Sequence, residues 1–214
     1  EEYLNRSDNN ALEILNLKEG QVLPHAQTTI QIQGAAGATQ RVLVNNMVVA
    51  DKQRGKLAIL DEHRKQGVEY VGVALKTGKN SIRAEQLDFA GNVRESQHIQ
   101  VIVPDEIHQL KLQHAPIPVM ANGRDVMQLR VQLQDKQGVK VATRTSVTLE
   151  SDIGIIDLQD LNPNEPGIQS FIDGGEMVIP VLAPNAPARG KLRVSSGLLK
   201  EEIDIQFQAD LRPL

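Results

Sequence analysis

The sequence predicts an all-β protein made of two sandwich domains in tandem. Apolar and polar residues alternate with period two, the pattern of strands buried on one face. The alternating runs span residues 30–33, 99–102, 129–134 and 203–208. Turn signals rich in glycine and aspartate separate them, and the 214 residues suit two small domains at roughly 100–200 residues each. We therefore expect about seven short antiparallel strands in each half.

Two of the turn signals share the pattern Asp-x-x-Gly, beginning at Asp88 and Asp135. An aspartate carboxylate in such a turn accepts hydrogen bonds from the backbone amides that follow, and glycine supplies the residue with positive φ. The predicted structural turn residues are Asp88, Gly91, Asn92, Asp135 and Gly138. Turn formation accounts for both aspartates without calcium.

The domain boundary is predicted where one strand ends at Pro104 and the next begins within a few residues. Residues 11–104 would form the first sandwich and residues 105–214 the second. Residues 1–10 are polar and lack periodicity, which predicts a linker or a frayed start. The short spacer at the boundary predicts limited bending between the domains.

Residues 57–66 are the one stretch compatible with a helix, because Leu57, Leu60 and Arg64 could share a face. The stretch is short and Gly67 follows it. We expect a loop or a single turn there.

Composition narrows the classes of partner. Apolar residues make up 40% of the chain, with no Trp, two Tyr and three Phe, so Val, Ile and Leu must supply the cores. The net charge of -4 argues against nucleic acid. No stretch reaches the roughly 18–20 apolar residues of a spanning helix, so membrane insertion by this chain is not expected. The absence of cysteine excludes disulfides and cysteine-ligated zinc, and fits either the cytosol or a bacterial exterior.

In the first half, a strand ending in Gly34, a Val-x-Val-Asn strand at 42–45, a hairpin at 75–82 and a turn at 87–92 follow one another. Over residues 12–103 this order resembles the immunoglobulin-like domains found in bacterial surface and carbohydrate-active proteins. The resemblance implies a two-sheet sandwich that serves as an accessory module.

In the second half, strand and turn patterns occur at 129–141, 147–156, 175–183 and 190–194. Over about 107–207 this order is similar to the immunoglobulin-like repeats of invasin and intimin adhesins. The similarity implies a stalk or spacer outside the cytoplasm, at the bacterial cell surface, on the outer membrane or in the periplasm.

No catalytic residue is expected. The five histidines lack metal-ligand spacing, and His108 and His114, six residues apart on a strand, would be about 20 Å apart. Ser195 and Ser196 precede a glycine in what the pattern predicts to be a turn. The acidic pairs 61–62 and 201–202 would point to opposite faces of their strands.

No cofactor is expected either, and calcium is the one candidate that the residues leave open. Asp105 and Glu106 occupy the junction where tandem sandwiches of other families hold cations. No Asp-x-Asp-x-Gly ligand run accompanies them.

The leading functional prediction is a non-catalytic structural and interaction module, a stalk, spacer or scaffold of a large bacterial surface protein, plausibly in adhesion. Its partners would be neighbouring domains of the same polypeptide and an unidentified protein or cell-surface glycan. One alternative is a carbohydrate-binding or accessory domain of a secreted polysaccharide-acting enzyme. Against it, the chain has few aromatics for sugar stacking, and several fall on inward-facing strand positions. The five aromatic residues of the chain are Tyr3, Tyr70, Phe89, Phe171 and Phe207. Another alternative is a periplasmic or extracellular extension of an outer-membrane β-barrel, suggested by the strand-like ending at 203–208.

Overall fold

The computed structural model describes residues 10–209, so the predicted linker at 1–10 lies almost wholly outside the described residues. The described chain is built from eighteen strands and short 3-10 turns. The strands of the first half are β1 (Glu13–Ile14), β2 (Gln21–Val22), β3 (Gln27–Ala35), β4 (Thr39–Val44), β5 (Met47–Val48), β6 (Arg54–Leu60), β7 (Lys65–Ala74), β8 (Gly78–Leu87) and β9 (Val93–Val103). The strands of the second half are β10 (Gln109–His114), β11 (Val119–Met120), β12 (Val126–Gln134), β13 (Thr145–Ser151), β14 (Ile155–Ile156), β15 (Ile168–Ile172), β16 (Glu176–Leu182), β17 (Ala188–Ser196) and β18 (Leu199–Gln208).

The chain divides into two compact units between Pro104 and Asp105, here named domain 1 and domain 2. Domain 1 contains a four-stranded sheet in the order β1-β3-β7-β6 and a five-stranded sheet in the order β2-β9-β8-β4-β5. Domain 2 contains a four-stranded sheet in the order β10-β12-β16-β14 and a five-stranded sheet in the order β11-β18-β17-β13-β15. The predicted all-β fold of tandem immunoglobulin-like sandwiches is confirmed.

Each domain buries its own aliphatic core between its two sheets. In domain 1 the alternate residues Ile30 and Ile32 are fully buried, and in domain 2 Leu129, Val131 and Leu133 occupy the same role on β12. Period-two alternation places these side chains on one face, which is why the sequence pattern identifies them. Tyr70 and Phe207 are the large aromatic members of the two cores.

The expectation of a loop or single turn over residues 57–66 is wrong. Most of this stretch is strand, because β6 runs through Leu60 and β7 starts at Lys65, and a 3-10 turn (Asp61–His63) joins them. Arg64, at φ 51°, completes the reversal in the left-handed region. The acidic pair 61–62 therefore lies in a turn and not on a strand.

In each domain an early strand runs parallel to the last strand. β2 pairs with β9 through Gln21 opposite Val101, and β11 pairs with β18 through Val119 opposite Phe207. All other strand pairs within the sheets are antiparallel in the part of the chain that the structure describes. In domain 1 the N–H groups of Leu12 and Ile14 donate to Glu95 and Gln97 near the start of β9, so the chain enters the domain at that pole and leaves it beyond Val103 at the other.

Within residues 10–209, helical structure is confined to short 3-10 turns, and no helix is long and apolar enough to cross a membrane.

Candidate functional site

The two Asp-x-x-Gly turns have the same geometry in the two domains. Asp88 Oδ1 accepts hydrogen bonds from the backbone N–H groups of Ala90 (2.9 Å) and Asn92 (2.8 Å). The backbone closes the turn through the N–H of Gly91, which donates to Asp88 O at 3.0 Å, with Gly91 at φ 85°. Arg94 forms an ion pair with Asp88 Oδ2 at 2.8 Å. These contacts hold the tip of the β8–β9 hairpin in one conformation.

Asp135 is more deeply buried than Asp88 and holds an extra backbone group. Its Oδ1 accepts from the N–H groups of Gln137 and Val139, both at 2.9 Å, and Gly138 has φ 80°. Its Oδ2 accepts from the N–H of Asp105 at 3.2 Å. The turn thereby fixes the first residue of domain 2.

The junction acids Asp105 and Glu106 are both exposed. Asp105 Oδ1 accepts from the N–H of Glu106 at 2.9 Å. Over the described range 10–209, no group of three or more histidine or acidic side chains is arranged to hold a metal ion. Calcium at these two residues stays a prediction.

The histidines and serines considered for chemistry are widely separated. His25, His63, His98, His108 and His114 are all exposed. His98 Nε2 lies 2.9 Å from Ser81 Oγ, and His114 Nδ1 lies 2.8 Å from the carbonyl oxygen of Ala115. Ser195 and Ser196 are the last residues of β17 instead of turn residues, and Ser196 Oγ donates to Ser146 O at 2.9 Å.

Charged side chains converge on the outer face of the five-stranded sheet of domain 2. Arg193 makes a two-pronged contact with Asp152, at 2.7 Å and 3.2 Å, and Lys191 pairs with Glu202. These four residues are here named the ion-pair cluster. Three of them, Asp152, Lys191 and Arg193, border a groove of about 860 Å³ that the exposed side chain of Ile117 also lines.

Contacts within the ion-pair cluster move the pKa of every group in it further from neutral pH. The hydrogen bond from Arg193 lowers the pKa of Asp152, and the hydrogen bond from Lys191 lowers the pKa of Glu202. The same contacts raise the pKa of Lys191 and of Arg193. General acid–base catalysis favours groups that titrate near the working pH. The arrangement therefore suits a stable charged surface and not proton transfer.

Two hairpin tips present apolar side chains that sequence reasoning missed. Phe89 at the β8–β9 tip and Leu198 at the β17–β18 tip are as exposed as in an extended chain, at 104% and 101%. Phe171 is also exposed, and Arg144 lies over its ring at 4.2 Å. The sequence feature that indicates exposure of Phe89 is its position inside the Asp88 turn motif, because a residue at the tip of a turn has no core beneath it.

Exposed aliphatic side chains also gather at one lateral edge of domain 1. They lie on β5, on β6 and on the adjoining strand β7. They are Met47, Val48, Leu57, Ile59 and Val71. Strands β5 and β6 end the two sheets on this side, and only residues 49–53 connect them. Sequence reasoning missed this edge because it treated residues 57–66 as a loop.

Comparison with known proteins gives structural neighbours only. No protein-family model matches the sequence, and no curated protein matches it. A β-glucuronidase from glycoside hydrolase family 2 is 17% identical with a TM-score of 0.49, over 96% of this chain and 21% of that chain. A glycosyl hydrolase family 2 member from Bacteroides cellulosilyticus is 12% identical with a TM-score of 0.49, over 89% of this chain and 24% of that chain. The D0–D1 domain of intimin is 15% identical with a TM-score of 0.36, over 88% of this chain and 94% of that chain.

This chain spans about a fifth to a quarter of the length of the glycoside hydrolases it matches. Likeness of this degree carries no argument about activity. The immunoglobulin-like fold stands on the sheet order of each domain, in which a four-stranded and a five-stranded sheet enclose one core.

Proposed function

We propose that this chain is a non-catalytic spacer that holds neighbouring domains of one extracytoplasmic bacterial polypeptide apart. The observation that carries the proposal is the parallel pairing of an early strand with the last strand in each domain. A domain entered at one pole and left at the other extends a polypeptide with every copy. A stalk needs this property, and it also needs resistance to tension.

In domain 1 the entering and leaving segments are joined side by side. The N–H of Gly20 donates to Gln100 O and the N–H of Leu23 donates to Ile102 O, both at 2.8 Å. Glu19 Oε2 accepts from the N–H of Gln100 at 2.8 Å. Tension applied at the ends of the domain acts along these strands and across their hydrogen bonds, so the bonds must be sheared together and not broken one at a time.

Domain 2 repeats the arrangement. The N–H of Ala121 donates to Gln208 O at 2.7 Å, next to the pairing of Met120 with Gln208. The partly buried Val119 packs against the core beside Phe207. Both domains would therefore resist tension through the same pair of strands.

Single-molecule force measurements on the cysteine-free chain test the proposal. Domain 1 is pulled through Asn10→Cys with Glu106→Cys, which loads β2 and β9 in shear. The matched control pulls through Asn10→Cys with Ala90→Cys, both near the start of β9, where the N–H of Leu12 donates to Glu95, so the load peels these segments apart from one pole. The proposal expects a clearly higher unfolding force in shear. Equal forces in the two directions would show that the parallel pairing gives no mechanical advantage and would remove the basis for the spacer.

The compartment and the partners belong to the same proposal. The strand and turn patterns shared with invasin and intimin repeats support a place outside the cytoplasm, at the cell surface, on the outer membrane or in the periplasm. The partners are neighbouring domains of the same polypeptide, with an adhesive or catalytic domain at one end.

The exposed ring of Phe89 favours a second candidate, a carbohydrate-binding accessory module. Aromatic rings stack on the apolar faces of sugars, and a turn fixed by Asp88 would present the ring at little entropic cost. Affinity electrophoresis in gels containing plant or bacterial polysaccharides tests it. Retardation that Phe89→Ala abolishes and Leu198→Ala preserves would support this candidate, whereas equal mobility in every gel would count against it.

A further inference from the structure

Strand β6 is an edge strand with an open side. It ends the order β1-β3-β7-β6, so β7 is its one neighbour among the strands that the structure describes. Unpaired backbone N–H and C=O groups along such an edge are a template for another strand. An irregularity between Arg54 and Leu57 bends the start of the strand and leaves Leu57–Leu60 in regular register.

The side chains of this regular part are apolar and exposed. Leu57 is 56% exposed and Ile59 is 49% exposed. Leu57 lies opposite Val68 on β7, and Ile59 lies opposite Gln66. Residues opposite each other in an antiparallel pair share a face. Leu57 and Ile59 therefore lie on the core side of the sheet, but at its edge, where no side chains of the other sheet cover them fully.

Charges flank this apolar segment with opposite signs at its two ends. Arg54 and Lys56 precede it, and Asp61 and Glu62 follow it; all four are exposed. None of these four side chains takes part in an ion pair with another residue in the part of the chain that the structure describes. A strand that is basic at one end and acidic at the other is complementary to an antiparallel copy of itself.

We propose that β6 pairs antiparallel with β6 of a second copy of this chain, about a two-fold axis at Ala58. A two-fold axis perpendicular to the sheet leaves the same face of both copies on the same side of the joined sheet. Such an axis must therefore pass between one residue and the same residue of the second copy. With the axis at Ala58, Leu57 of one copy opposes Ile59 of the other, and the reverse. The two four-stranded sheets then join into one sheet of eight strands.

The same register brings opposite charges together at both ends of the pairing. The basic start of one strand, Arg54 and Lys56, lies beside the acidic turn Asp61–Glu62 that follows the other strand, and the symmetry repeats the contact. An axis at Leu57 would place Ile59 opposite Gly55, and an axis at Ile59 would carry Leu57 beyond the end of the partner strand at Leu60. Of these three registers, the one at Ala58 pairs the two exposed side chains Leu57 and Ile59 with each other.

The contact is small, and its strength should reflect this. One strand edge buries less than the roughly 1,200 Å² of a stable interface, so the isolated chains should associate weakly and reversibly. Chains held side by side at high local concentration would pair far more completely. The inference does not depend on the spacer proposal, because the force measurement concerns single molecules.

Cysteine cross-linking tests the register directly, since the chain has no cysteine of its own. Opposed residues in an antiparallel pair have Cα atoms about 4.5–5.5 Å apart, within the 4.4–6.8 Å range of disulfides. Under mild oxidation, Ala58→Cys should form a covalent dimer at least about tenfold faster than the matched variant Ser96→Cys. Ser96 is exposed on β9, a strand that has neighbours on both sides.

A charge exchange provides the second measurement. Added to Ala58→Cys, either Arg54→Glu or Glu62→Arg should slow the cross-linking, and the two together should restore it. Cross-linking of Ala58→Cys at the rate of Ser96→Cys would overturn the proposal and leave the edge to a strand of another protein or to solvent. Cross-linking that is fast but indifferent to both charge changes would overturn the register.

Discussion

Domains 1 and 2 arrange their sheets alike but connect the strands by different paths. In domain 1 the chain passes from β4 to β5 in the same sheet and then to β6 in the other. In domain 2 it passes from β13 to β14 in the other sheet and returns to β15 through residues 157–167. The arrangement of strands within the sheets is thus the same in both domains, although corresponding strands come at different points along the chain. The comparison indicates that packing requirements, more than chain path, define this fold.

The different paths leave different lateral edges. In domain 2, Leu158 of the long connection packs against the core, and the N–H of Asp157 donates to Pro180 O at 2.9 Å. In domain 1 the corresponding connection is residues 49–53, and Leu57 and Ile59 stay exposed at the edge. The edge strand of domain 2, β14, also exposes Ile155 but has only two residues, whereas β6 has seven, and the second-copy pairing is therefore proposed for domain 1.

The interiors differ as well. Among residues 10–104, the buried polar or charged residues are Gln33, Gln40, Lys65, Gln66, Asn80, Glu85 and Gln86. Among residues 105–209 they are Gln134 and Asp135. Gln86 Oε1 accepts from the N–H of Ala35 at 2.9 Å, and Gln66 bridges the β3–β4 turn by accepting from the N–H of Gly37 at 2.9 Å and donating to Ala38 O at 2.7 Å. One end of domain 1 therefore depends on specific amide contacts, whereas domain 2 depends on apolar packing.

Core truncation should have the largest effect and should separate the two domains. Ile32→Ala in domain 1 and Leu129→Ala in domain 2 each remove a fully buried aliphatic side chain. Each should lower the free energy of unfolding of its own domain by about 2–5 kcal/mol. Because the cores are separate, calorimetry should show one transition shifted and the other unchanged. A shift of both transitions by one variant would mean that the domains unfold as a single unit.

Removing a buried amide should have the next largest effect, and in domain 1 only. Gln86→Leu leaves the backbone N–H of Ala35 without this acceptor, which should cost about 1–3 kcal/mol. The matched control is Gln132→Leu, because Gln132 is half-buried in domain 2 and donates to Glu176 at 3.1 Å. It should change stability by about 0.5 kcal/mol or less. Equal losses in urea denaturation would contradict the contrast between the interiors.

The sequence predicts what depends on local pattern and misses what depends on distant partners. Alternation locates β12 and β18, and Asp-x-x-Gly locates two turns. The segment Leu57–Leu60 has four apolar residues in a row, so its period is hidden and its strand depends on β7. The contact between Ala35 and Gln86 spans 51 residues, and no local pattern announces it. Edge position and buried amide contacts are properties of the assembled sheets.

The two aspartate turns should differ in their contribution to stability. Asp135 is buried and accepts three backbone N–H groups, so Asp135→Ala should cost about 1 kcal/mol, the usual value of a side chain that satisfies turn or cap amides. Asp88→Ala should cost less, because its turn is exposed and water replaces the lost contacts. Thermal unfolding of both variants measures the difference. A larger loss for Asp88→Ala would reverse the ranking.

Acid should weaken domain 2 more than domain 1, with the smallest effect of the series. Hydrogen bonds from Arg193, Lys140 and Lys191 lower the pKa of Asp152, Glu176 and Glu202 in domain 2. In domain 1 the backbone hydrogen bond from Asn92 lowers the pKa of Asp88.

A carboxyl group with a lowered pKa contributes stability above its unfolded pKa, and the contribution disappears as the pH falls through its folded pKa. The ordinary values are 3.8 for aspartate and 4.5 for glutamate, so the loss should begin near pH 4.5 and continue below pH 3.8. All four groups are exposed to salt, so 1 M NaCl should shrink the difference between the domains. Calorimetry between pH 7 and pH 3 at low and high salt measures both effects. A domain 1 transition that falls faster than that of domain 2 would show that the surface ion pairs of domain 2 do not control the response to acid.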